Sequence, residues 1–532
     1  MRLKVLLSAV LILFLGLVLH ALTVRGLPGN LSNTNDLRGL GREASPFESS
    51  HERAPYAEML SILQRGTIEL SKPLADFGSP DIGHDGKRYF SFFPSGVSAS
   101  LIPGYLLGSL FNIGQVAAYF TMGIFTTLTM LFIFLLCRHT FKLPLWASIV
   151  AAITYAFGTT AWSYSVTIYQ HAPAAFFSMA LFYCAWQYKQ RTRKQFLWAA
   201  AIWFIFGISL FFDYPNALVL FSFMVYFALS SITISPVKRK KKVVRVTLNS
   251  AILRAMPIFI ILVIWHGWHN NHFLGAPTQI GNNLPRYTIK TPAQIQAEKA
   301  DAAKRKKAQE AVELEKLEKS SGGIAKALTE DKVPLNARIL LFGIDKGLFL
   351  FSPVVIMAIF GIITLRKEQL IEKSALLAFI LGNVLIYASF GDPYGGWAFG
   401  PRYLVPAMAG LSIFVAIGLS QTKLQILRKI FFIILFGLSS GIALAGAITT
   451  NLVPPKVEAD FLKLNYYNFS HNFDLLQRGT STSYVYNTYL KSSMSLMEYA
   501  QYLWIALYAI TVFITFILPL FGRRPTKKEA VK

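Results

Sequence analysis

The sequence predicts an all-α polytopic membrane protein of about twelve transmembrane helices, with an external helical layer formed by the first long loop. Hydrophobic residues make up 54% of the 532 residues and charged residues only 15%, a balance typical of chains that cross a membrane repeatedly. Apolar stretches of about 20 residues, the length that a bilayer core requires, recur along the chain. Lys and Arg gather in alternate connections between these stretches, as expected when successive helices cross in opposite directions.

The charge asymmetry gives the predicted orientation. Among the short connections and the two ends of the chain, the Lys and Arg lie on one side, whereas the opposite short connections at 163–170, 213–216 and 391–402 hold one basic residue, Arg402. Since positive charge marks the cytoplasmic side, both termini are predicted inside. The twelve predicted spans are residues 4–23, 114–137, 144–162, 171–188, 196–212, 216–235, 250–268, 347–365, 374–390, 403–420, 429–449 and 500–521.

The spans divide the chain into seven regions. No small-residue cleavage site follows the first apolar run, so we expect it to remain as a helix. The regions are a first transmembrane helix (1–24), a first external loop (25–113), transmembrane helices two to seven (114–268), a second external loop (269–346), helices eight to eleven (347–449), a third external loop (450–499), and the last helix with a basic cytoplasmic tail (500–532).

The external loops contain predicted helices of their own. Residues 55–64 form an amphipathic pattern that Pro55 opens and Gly66 ends. Residues 97–111 are apolar but interrupted by Pro103 and Gly104, and counting them as a span would invert every later loop. We therefore expect them to lie in the plane of the membrane interface.

The second external loop contains a charged insertion at 293–332, with nine basic and eight acidic residues. Oppositely charged pairs such as Asp301 and Arg305 stand four residues apart, which favours a solvated helix. A partner-binding arm is the alternative.

Composition excludes several classes of function. The net charge of +25 would suggest nucleic acid, but the excess belongs to the cytoplasmic loops, so no nucleic-acid partner is expected. Cys137 and Cys184 lie in apolar spans and are predicted to be core residues. The sequence contains no phosphate-binding or dinucleotide-binding glycine motif.

Carboxylates in the first external loop stand close to basic and aromatic residues. The acids are Glu52, Asp81 and Asp85, and Lys87, Arg88 and Tyr89 follow directly. Such a set suits a reaction that needs a general base and an anion site, although polar residues that only solvate a loop are the alternative.

Arg402 begins a span within a glycine-rich and aromatic stretch. Its guanidinium can hold a phosphate through two parallel hydrogen bonds and tolerates a partly apolar site, or it can simply reach for the headgroups. Asp392, Tyr394 and Trp397 share its loop and could bind a sugar or a prenyl chain, or form an aromatic belt. His171 stands at another external helix end, where polar groups often line a water-filled cavity.

Three histidines end the seventh span, at positions i, i+3 and i+6. His266, His269 and His272 could bind zinc, but an interfacial cap of Trp and His is the favoured interpretation. No metal site is assigned and no cofactor is expected; a divalent metal is possible without being indicated.

These motifs stand in an order similar to that of a known family. The motifs Gly66-Thr67-Ile68-Glu69-Leu70, Asp85-Gly86-Lys87-Arg88-Tyr89 and Phe93-Pro94-Ser95-Gly96, with the stretches 345–353 and 391–403, resemble those of the GT-C superfamily. This superfamily of polyprenyl-phosphate-sugar-dependent glycosyltransferases includes the protein O-mannosyltransferases and the lipid A aminoarabinose transferase.

The resemblance implies roles for the candidate residues. In that superfamily an acidic residue before the first amphipathic helix is the catalytic base, and here the place holds His51-Glu52. Glu52 is therefore the first candidate, with Asp81 and Asp85 as alternatives. The implied substrate-binding residues are Lys87, Arg88, Tyr89, His171, Asp392, Tyr394, Trp397 and Arg402.

The implied activity is transfer of a hexosyl or pentosyl group from a polyprenyl-phosphate sugar. The acceptor would be a glycan, a lipid or a protein on the external face, with membrane lipids as further partners. The implied location is a bacterial plasma membrane, with the active site on its external or periplasmic side. A multi-span transporter, a flippase for lipid-linked glycans, or a polysaccharide polymerase is the alternative.

Overall fold

The computed structural model describes residues 2–33, 37, 46–190, 192–236, 244–289, 332–364, 369–390, 392–421 and 424–522. The charged insertion predicted at 293–332 lies outside the described residues except for Lys332, as does the basic tail from 523 onward. The helices are α1 (Arg2–Thr23), α2 (Ser50–Arg65), α3 (Lys72–Gly78), α4 (Ser95–Ser109), α5 (Gly114–Leu135), α6 (Leu145–Phe157), α7 (Ala161–Tyr164), α8 (His171–Gln190), α9 (Gln195–Ser209), α10 (Asn216–Val219), α11 (Phe221–Ser230), α12 (Ser250–Ala255), α13 (Pro257–Leu274), α14 (Val333–Phe342), α15 (Leu348–Phe351), α16 (Ala358–Ile363), α17 (Leu370–Ala388), α18 (Val405–Leu419), α19 (Gln425–Ile448), α20 (Lys456–Phe461), α21 (Ser470–Gln477) and α22 (Leu496–Val512).

The predicted all-α membrane fold is confirmed. Within the described ranges, seven helical stretches are long and apolar enough to cross a membrane by length and composition. The other five predicted spans are helical but shorter, interrupted or more polar, so the count of twelve stays a prediction. The seven stretches are Leu3–Thr23, Gly114–Thr140, Ser250–Leu274, Leu370–Ala388, Arg402–Leu419, Gln425–Ile448 and Leu496–Leu520.

The centre of the helix bundle is α18, every residue of which is buried. It packs closely against α16, where a Cβ added at Gly361 would stand 2.0 Å from the carbonyl oxygen of Phe414. Only a residue without a side chain permits this approach, which is the usual way that membrane helices pack closely.

A layer of short elements covers one end of the bundle. In α2, Ser49 and Glu52 cap each other's backbone, and Gly66 ends the helix at φ 67°, as glycine without a Cβ allows. Because α2 begins at Ser50, Pro55 lies inside it and does not open it, which corrects the predicted start.

The predicted interfacial helix is also continuous. Helix α4 runs through Pro103 without a break, so the interruption expected there is wrong. The glycines Gly104 and Gly108 lie against Ala117 of α5, so α4 packs closely on α5 around Pro103. Leu106, at the C-terminal end of α4, is 50% exposed, and Leu107, Leu110 and Phe111 are more exposed still, as expected of a surface that meets lipid.

Five short strands complete the part of the chain that the structure describes. Strands β1 (Ile82–His84) and β2 (Tyr89–Ser91) form an antiparallel hairpin, and β5 (Arg286–Tyr287) pairs with the free edge of β1. The first and second external loops are thereby joined in one sheet. At the opposite end of the bundle, β3 (Ile232–Pro236) and β4 (Val244–Leu248) form a second hairpin.

Candidate functional site

A cavity of about 1150 Å³ lies at the end of the bundle that the layer covers. Segments that the sequence places in separate external loops all contribute to its wall. The lining residues include Ser49, Ser50, His51, Arg53, Asp81, Phe93, Gln170, Asp213, Tyr214, Arg286, Tyr387, Asp392, Trp397, Arg402, Tyr403 and Glu458. The loops predicted to share one side therefore meet at one end of the bundle.

Four of the predicted site residues line this cavity: Asp81, Asp392, Trp397 and Arg402. The lining contains none of the other seven, which are described below. Conversely, the structure adds His51, Arg53, Gln170, Asp213 and Glu458. Four of these were indicated by the sequence only through their place in predicted external loops, whereas His51 stands beside Glu52 at the place that the resemblance gives to the catalytic acid.

Asp85, Lys87 and Arg88 form the tip of the β1–β2 hairpin, away from the cavity. The Asp85 carboxylate accepts hydrogen bonds from the backbone N–H groups of Lys87 and Arg88 and pairs with the Arg88 side chain at 2.8 Å. These donors, the Arg88 backbone first, lower the pKa of Asp85 to about 2. Tyr89 packs edge-on against Tyr287 at 4.8 Å, so the motif builds a turn and the sheet beside it.

Glu52 is buried behind the cavity wall and is 1% exposed. One carboxylate oxygen caps the backbone of Ser49 at the start of α2, and the other has no partner among the described residues. Burial, opposed by the charge of Arg25, raises the pKa of Glu52 to about 7.

Arg402 lies on an aromatic platform. Its guanidinium is 5.3 Å from the ring centre of Tyr169 and 5.1 Å from that of Tyr403, and Tyr387 stacks on Tyr403 at 4.5 Å. His171 is buried behind this platform, with its ring edge-on to Tyr403 at 5.8 Å. The predicted His171 thus supports the ring beneath Arg402.

Three guanidinium groups face the cavity without a carboxylate partner. The described part of the chain contains four ion pairs, and Arg402, Arg53 and Arg286 take part in none of them. Arg53 donates to backbone carbonyls, among them that of Ser79 at 2.9 Å, and Arg286 lies over the ring of Phe92. Unpaired guanidinium groups around one cavity suit a bound phosphate.

Two carboxylates stand near these cations. Asp81 accepts a hydrogen bond from Oγ of Ser50 at 2.7 Å and lies within electrostatic range of Arg53. Asp213 is buried at the end of α9 and accepts hydrogen bonds from Tyr387 and Gln170. Burial raises the pKa of Asp213 to about 7, against the opposing charge of Arg402.

The loop before Arg402 is shaped by Gly395 and Asp392. Gly395 has φ 66°, and a Cβ there would stand 2.7 Å from Nε of Arg402, so glycine makes room for the guanidinium. Asp392 accepts backbone hydrogen bonds from Tyr394 and Gly396, which folds the loop and leaves Tyr394 outside the lining.

Two further contacts hold this loop against the third external loop. Trp397 donates from Nε1 to Glu458 at 2.5 Å. Lys346 is fully buried and donates to the carbonyls of Ala398 and Val453. The lysine therefore connects the segment of Ala398 with that of Val453 next to the cavity.

The histidines at the end of α13 form a polar cluster of their own. Asn270 lies within hydrogen-bond distance of His266 and His269, while His272 stacks on Trp268. In the described residues, no three His, Cys, Asp or Glu side chains stand close enough together to hold a metal ion.

A second, apolar cavity of about 570 Å³ lies between α11 and α17. It begins near Leu218, which follows the cavity-lining Asp213, and it is bordered by Ala378 and Gly382 of α17. The apolar cavity extends along α17 from Leu370 to Gly382, and the polar cavity lies beyond it at Tyr387, near the C-terminal end of the same helix.

Comparison with known proteins gives structural neighbours only. No family model and no curated protein matches the sequence. The chain is similar to ArnT from Cupriavidus metallidurans bound to undecaprenyl phosphate, with 12% identity over 96% of this chain and 78% of that chain, at a TM-score of 0.45. It is also similar to the oligosaccharyltransferase AglB from Archaeoglobus fulgidus, in complex with an inhibitory peptide and a dolichol-phosphate, with 11% identity, 85% and 57% coverage and a TM-score of 0.43.

Both similarities have TM-scores below 0.5. At identities of 11–12%, the similarity concerns only the path of the backbone, and no residue role is carried over from either neighbour.

Proposed function

We propose that this protein is an integral membrane glycosyltransferase that uses a polyprenyl-phosphate sugar as its donor. The observation that carries the proposal is the meeting of unpaired guanidinium groups and carboxylates in one cavity at the ends of membrane helices. A transfer of this kind needs a cationic site for the departing phosphate and a group that accepts the acceptor's proton.

In this proposal Arg402 and Arg53 hold the phosphate of the donor. The acceptor's oxygen or nitrogen forms a bond to the anomeric carbon, and the bond between that carbon and the phosphate oxygen breaks. The electron pair leaves on the phosphate, where the two guanidinium groups offset the new charge. Asp81 accepts hydrogen bonds from hydroxyl groups of the transferred sugar.

The apolar cavity between α11 and α17 suits the isoprenoid tail of such a donor. Its wall is hydrocarbon except for Ser222, Ser374 and Tyr226, and it starts beside the polar cavity. A phosphate near Arg402 with its tail between these helices accounts for both cavities. We place the reaction on the external face of a bacterial plasma membrane because the cytoplasmic loops carry the positive charge.

The proposal is tested with purified protein in lipid nanodiscs. Native mass spectrometry with undecaprenyl phosphate and with dolichyl phosphate should show one bound polyprenyl phosphate, whereas the corresponding alcohols should bind weakly. Incubation with a panel of synthetic polyprenyl-phosphate sugars and a membrane extract as the source of acceptor should release polyprenyl phosphate. Equal binding of phosphate and alcohol would contradict the phosphate site.

A deletion strain gives the matching cellular test. Accumulation of one polyprenyl-phosphate sugar, measured by mass spectrometry of lipid extracts, is expected and would name the donor. Binding of the phosphate lipid without release in any assay would instead favour a flippase for lipid-linked glycans.

A further inference from the structure

A chain of hydrogen bonds runs along the cavity wall from Asp213 through Gln170 to His51. The side-chain oxygen Oε1 of Gln170 lies 2.7 Å from Nε2 of His51, and the Gln170 amide is close enough to the carboxylate of Asp213 to lower its pKa as a hydrogen-bond donor. Tyr387 donates a second hydrogen bond to the same carboxylate. These residues come from four separate segments and all line the cavity.

This chain determines which ring nitrogen of His51 carries the proton. An amide oxygen can only accept a hydrogen bond, so Nε2 is the donor, and in the neutral ring Nδ1 is then the acceptor. With Oε1 of Gln170 on His51, the amide N–H groups are left for Asp213, whose ionised carboxylate accepts hydrogen bonds. Among the described residues, no hydrogen-bond partner meets Nδ1 of His51.

Aromatic rings fix the orientation of the imidazole. The ring of His51 stacks on Tyr169 at 4.1 Å with an interplanar angle of 8°, and Phe93 contacts it at 3.9 Å. Tyr169 also carries the guanidinium of Arg402. The same ring therefore positions the free nitrogen of His51 and the proposed phosphate-binding group.

We propose that His51, oriented by Gln170 and Asp213, is the general base of the transfer. The proposal rests on the proposed function. Nδ1 takes the proton of the acceptor hydroxyl or amine while the acceptor atom bonds to the anomeric carbon, and the phosphate leaves with the electron pair of the broken bond. The imidazolium then donates from Nε2 to Gln170, whose amide is polarised by Asp213, as an orienting carboxylate supports the histidine of a hydrolase triad.

The surrounding charges keep the base available. Burial and the charge of Arg402 hold the pKa of His51 well below its ordinary value of 6.5, while the bond to Gln170 opposes this. The ring is therefore neutral at physiological pH. A donor phosphate on Arg402 offsets the guanidinium charge, so the base becomes stronger when the donor is bound.

Asp81 is the competing candidate and has a different environment. One of its oxygens is occupied by the hydroxyl of Ser50, and Arg53 offsets its charge. Asp81 also keeps a second oxygen that can accept a proton, so His51 differs from it by the fixed orientation of its ring between Tyr169 and Phe93.

The experiment compares His51→Ala, His51→Gln and Asp81→Asn in nanodiscs. It measures undecaprenyl phosphate release from whichever polyprenyl-phosphate sugar the wild type turns over, and undecaprenyl phosphate binding by native mass spectrometry. We expect both His51 variants to lose ~10²–10⁴-fold in rate, the usual loss when a general base is removed, while binding the lipid. Added imidazole should restore part of the rate of His51→Ala and none of that of Asp81→Asn.

Gln170→Leu tests the positioning role separately. Without the bond that raises the pKa of His51, the acid limb of the pH–rate profile should move to lower pH and kcat should fall, with KM for the donor little changed. A His51→Ala protein that keeps more than about a tenth of the wild-type rate overturns the inference and leaves the proposed function standing. Absence of turnover by the wild type with every donor overturns the proposed function, and the inference with it.

Discussion

Arg25 and Glu48 form an ion pair of 3.2 Å from which solvent is fully excluded. The same carboxylate oxygen of Glu48 accepts hydrogen bonds from the hydroxyl of Thr450 at 2.8 Å and the backbone N–H of Asn451 at 3.2 Å. The pair thus joins the end of α1, the residues before α2 and the segment after α19. Glu48 itself lines the cavity, so the shape of the proposed site depends on this contact.

Glu48→Ala should therefore destabilise the protein strongly. Removing one partner leaves the charge of Arg25 buried and unpaired, which typically costs about 3–5 kcal/mol. We expect a clear drop in Tm, measured by thermal unfolding in detergent, and none for Glu69→Ala, which removes a half-buried carboxylate of the turn after α2. The double variant Arg25→Met/Glu48→Leu should recover much of the loss, and a Tm equal to that of Glu48→Ala would contradict this account.

Arg402→Lys should weaken binding of undecaprenyl phosphate although the positive charge remains. An ammonium lacks the planar pair of donors, and the loss of a charge-assisted hydrogen bond is worth ~1.5–3 kcal/mol, or roughly 10- to 150-fold in Kd. Arg428→Lys is the matched control, since Arg428 lies over Phe360 outside the cavity. Wild-type affinity in the Arg402→Lys protein would show that this arginine only reaches for the headgroups.

Glu52→Gln and Asp81→Asn should differ in their rates of sugar transfer, although both residues lie in the predicted catalytic loop. Glu52 lies behind the wall, so its amide variant should transfer sugar at close to the wild-type rate. Asp81 faces the cavity, and loss of its charged hydrogen bonds should reduce kcat/KM by roughly 10- to 150-fold. The measurement is the rate of polyprenyl phosphate release by each variant. A wild-type rate in Asp81→Asn, or loss of activity in Glu52→Gln, would contradict these assignments.

Glu58 should make stability depend on pH. It is 1% exposed and accepts a hydrogen bond from Ser98 at 3.0 Å, and burial raises its pKa from 4.5 to about 7. Since the folded protein holds this proton more tightly than the unfolded chain, the stabilisation is complete below about pH 4.5 and disappears as the pH rises through 7.

The corresponding measurement is Tm between pH 5 and pH 8. The wild type should lose stability over this range, with a contribution from Glu58 of roughly 3 kcal/mol. Glu58→Gln should show a flatter profile, whereas Glu69→Gln should follow the wild type. An unchanged slope in Glu58→Gln would mean that the pH dependence has another source.

The sequence alone was sufficient to predict the fold class and to predict which segments lie on the side of the membrane where the cavity is found. Apolar length predicts membrane helices because a bilayer core requires about 20 residues of hydrocarbon surface, and seven of the predicted spans are helices of that kind. Arg402 could also be singled out, since a lone cation in a glycine-rich stretch is unusual on that side. Asp392 and Trp397 followed from the same stretch.

Tertiary structure decided which carboxylates reach the cavity. Glu52, Asp81 and Asp85 look alike in the sequence, but a capping box turns the first inward, a hairpin turn carries the third away, and only Asp81 lines the wall. The course of the backbone between them sets these directions, and spacing along the chain does not encode it.

The hydrogen bond between His51 and Gln170 shows most clearly what the sequence alone does not predict. These residues are 119 positions apart, and neither belongs to a pattern with a recognisable period. Periodicity reports which face of one helix is buried, because that depends on neighbours three and four residues away. The environment of a polar side chain depends instead on which distant segments pack beside it, so only the folded chain determines the chemistry of His51.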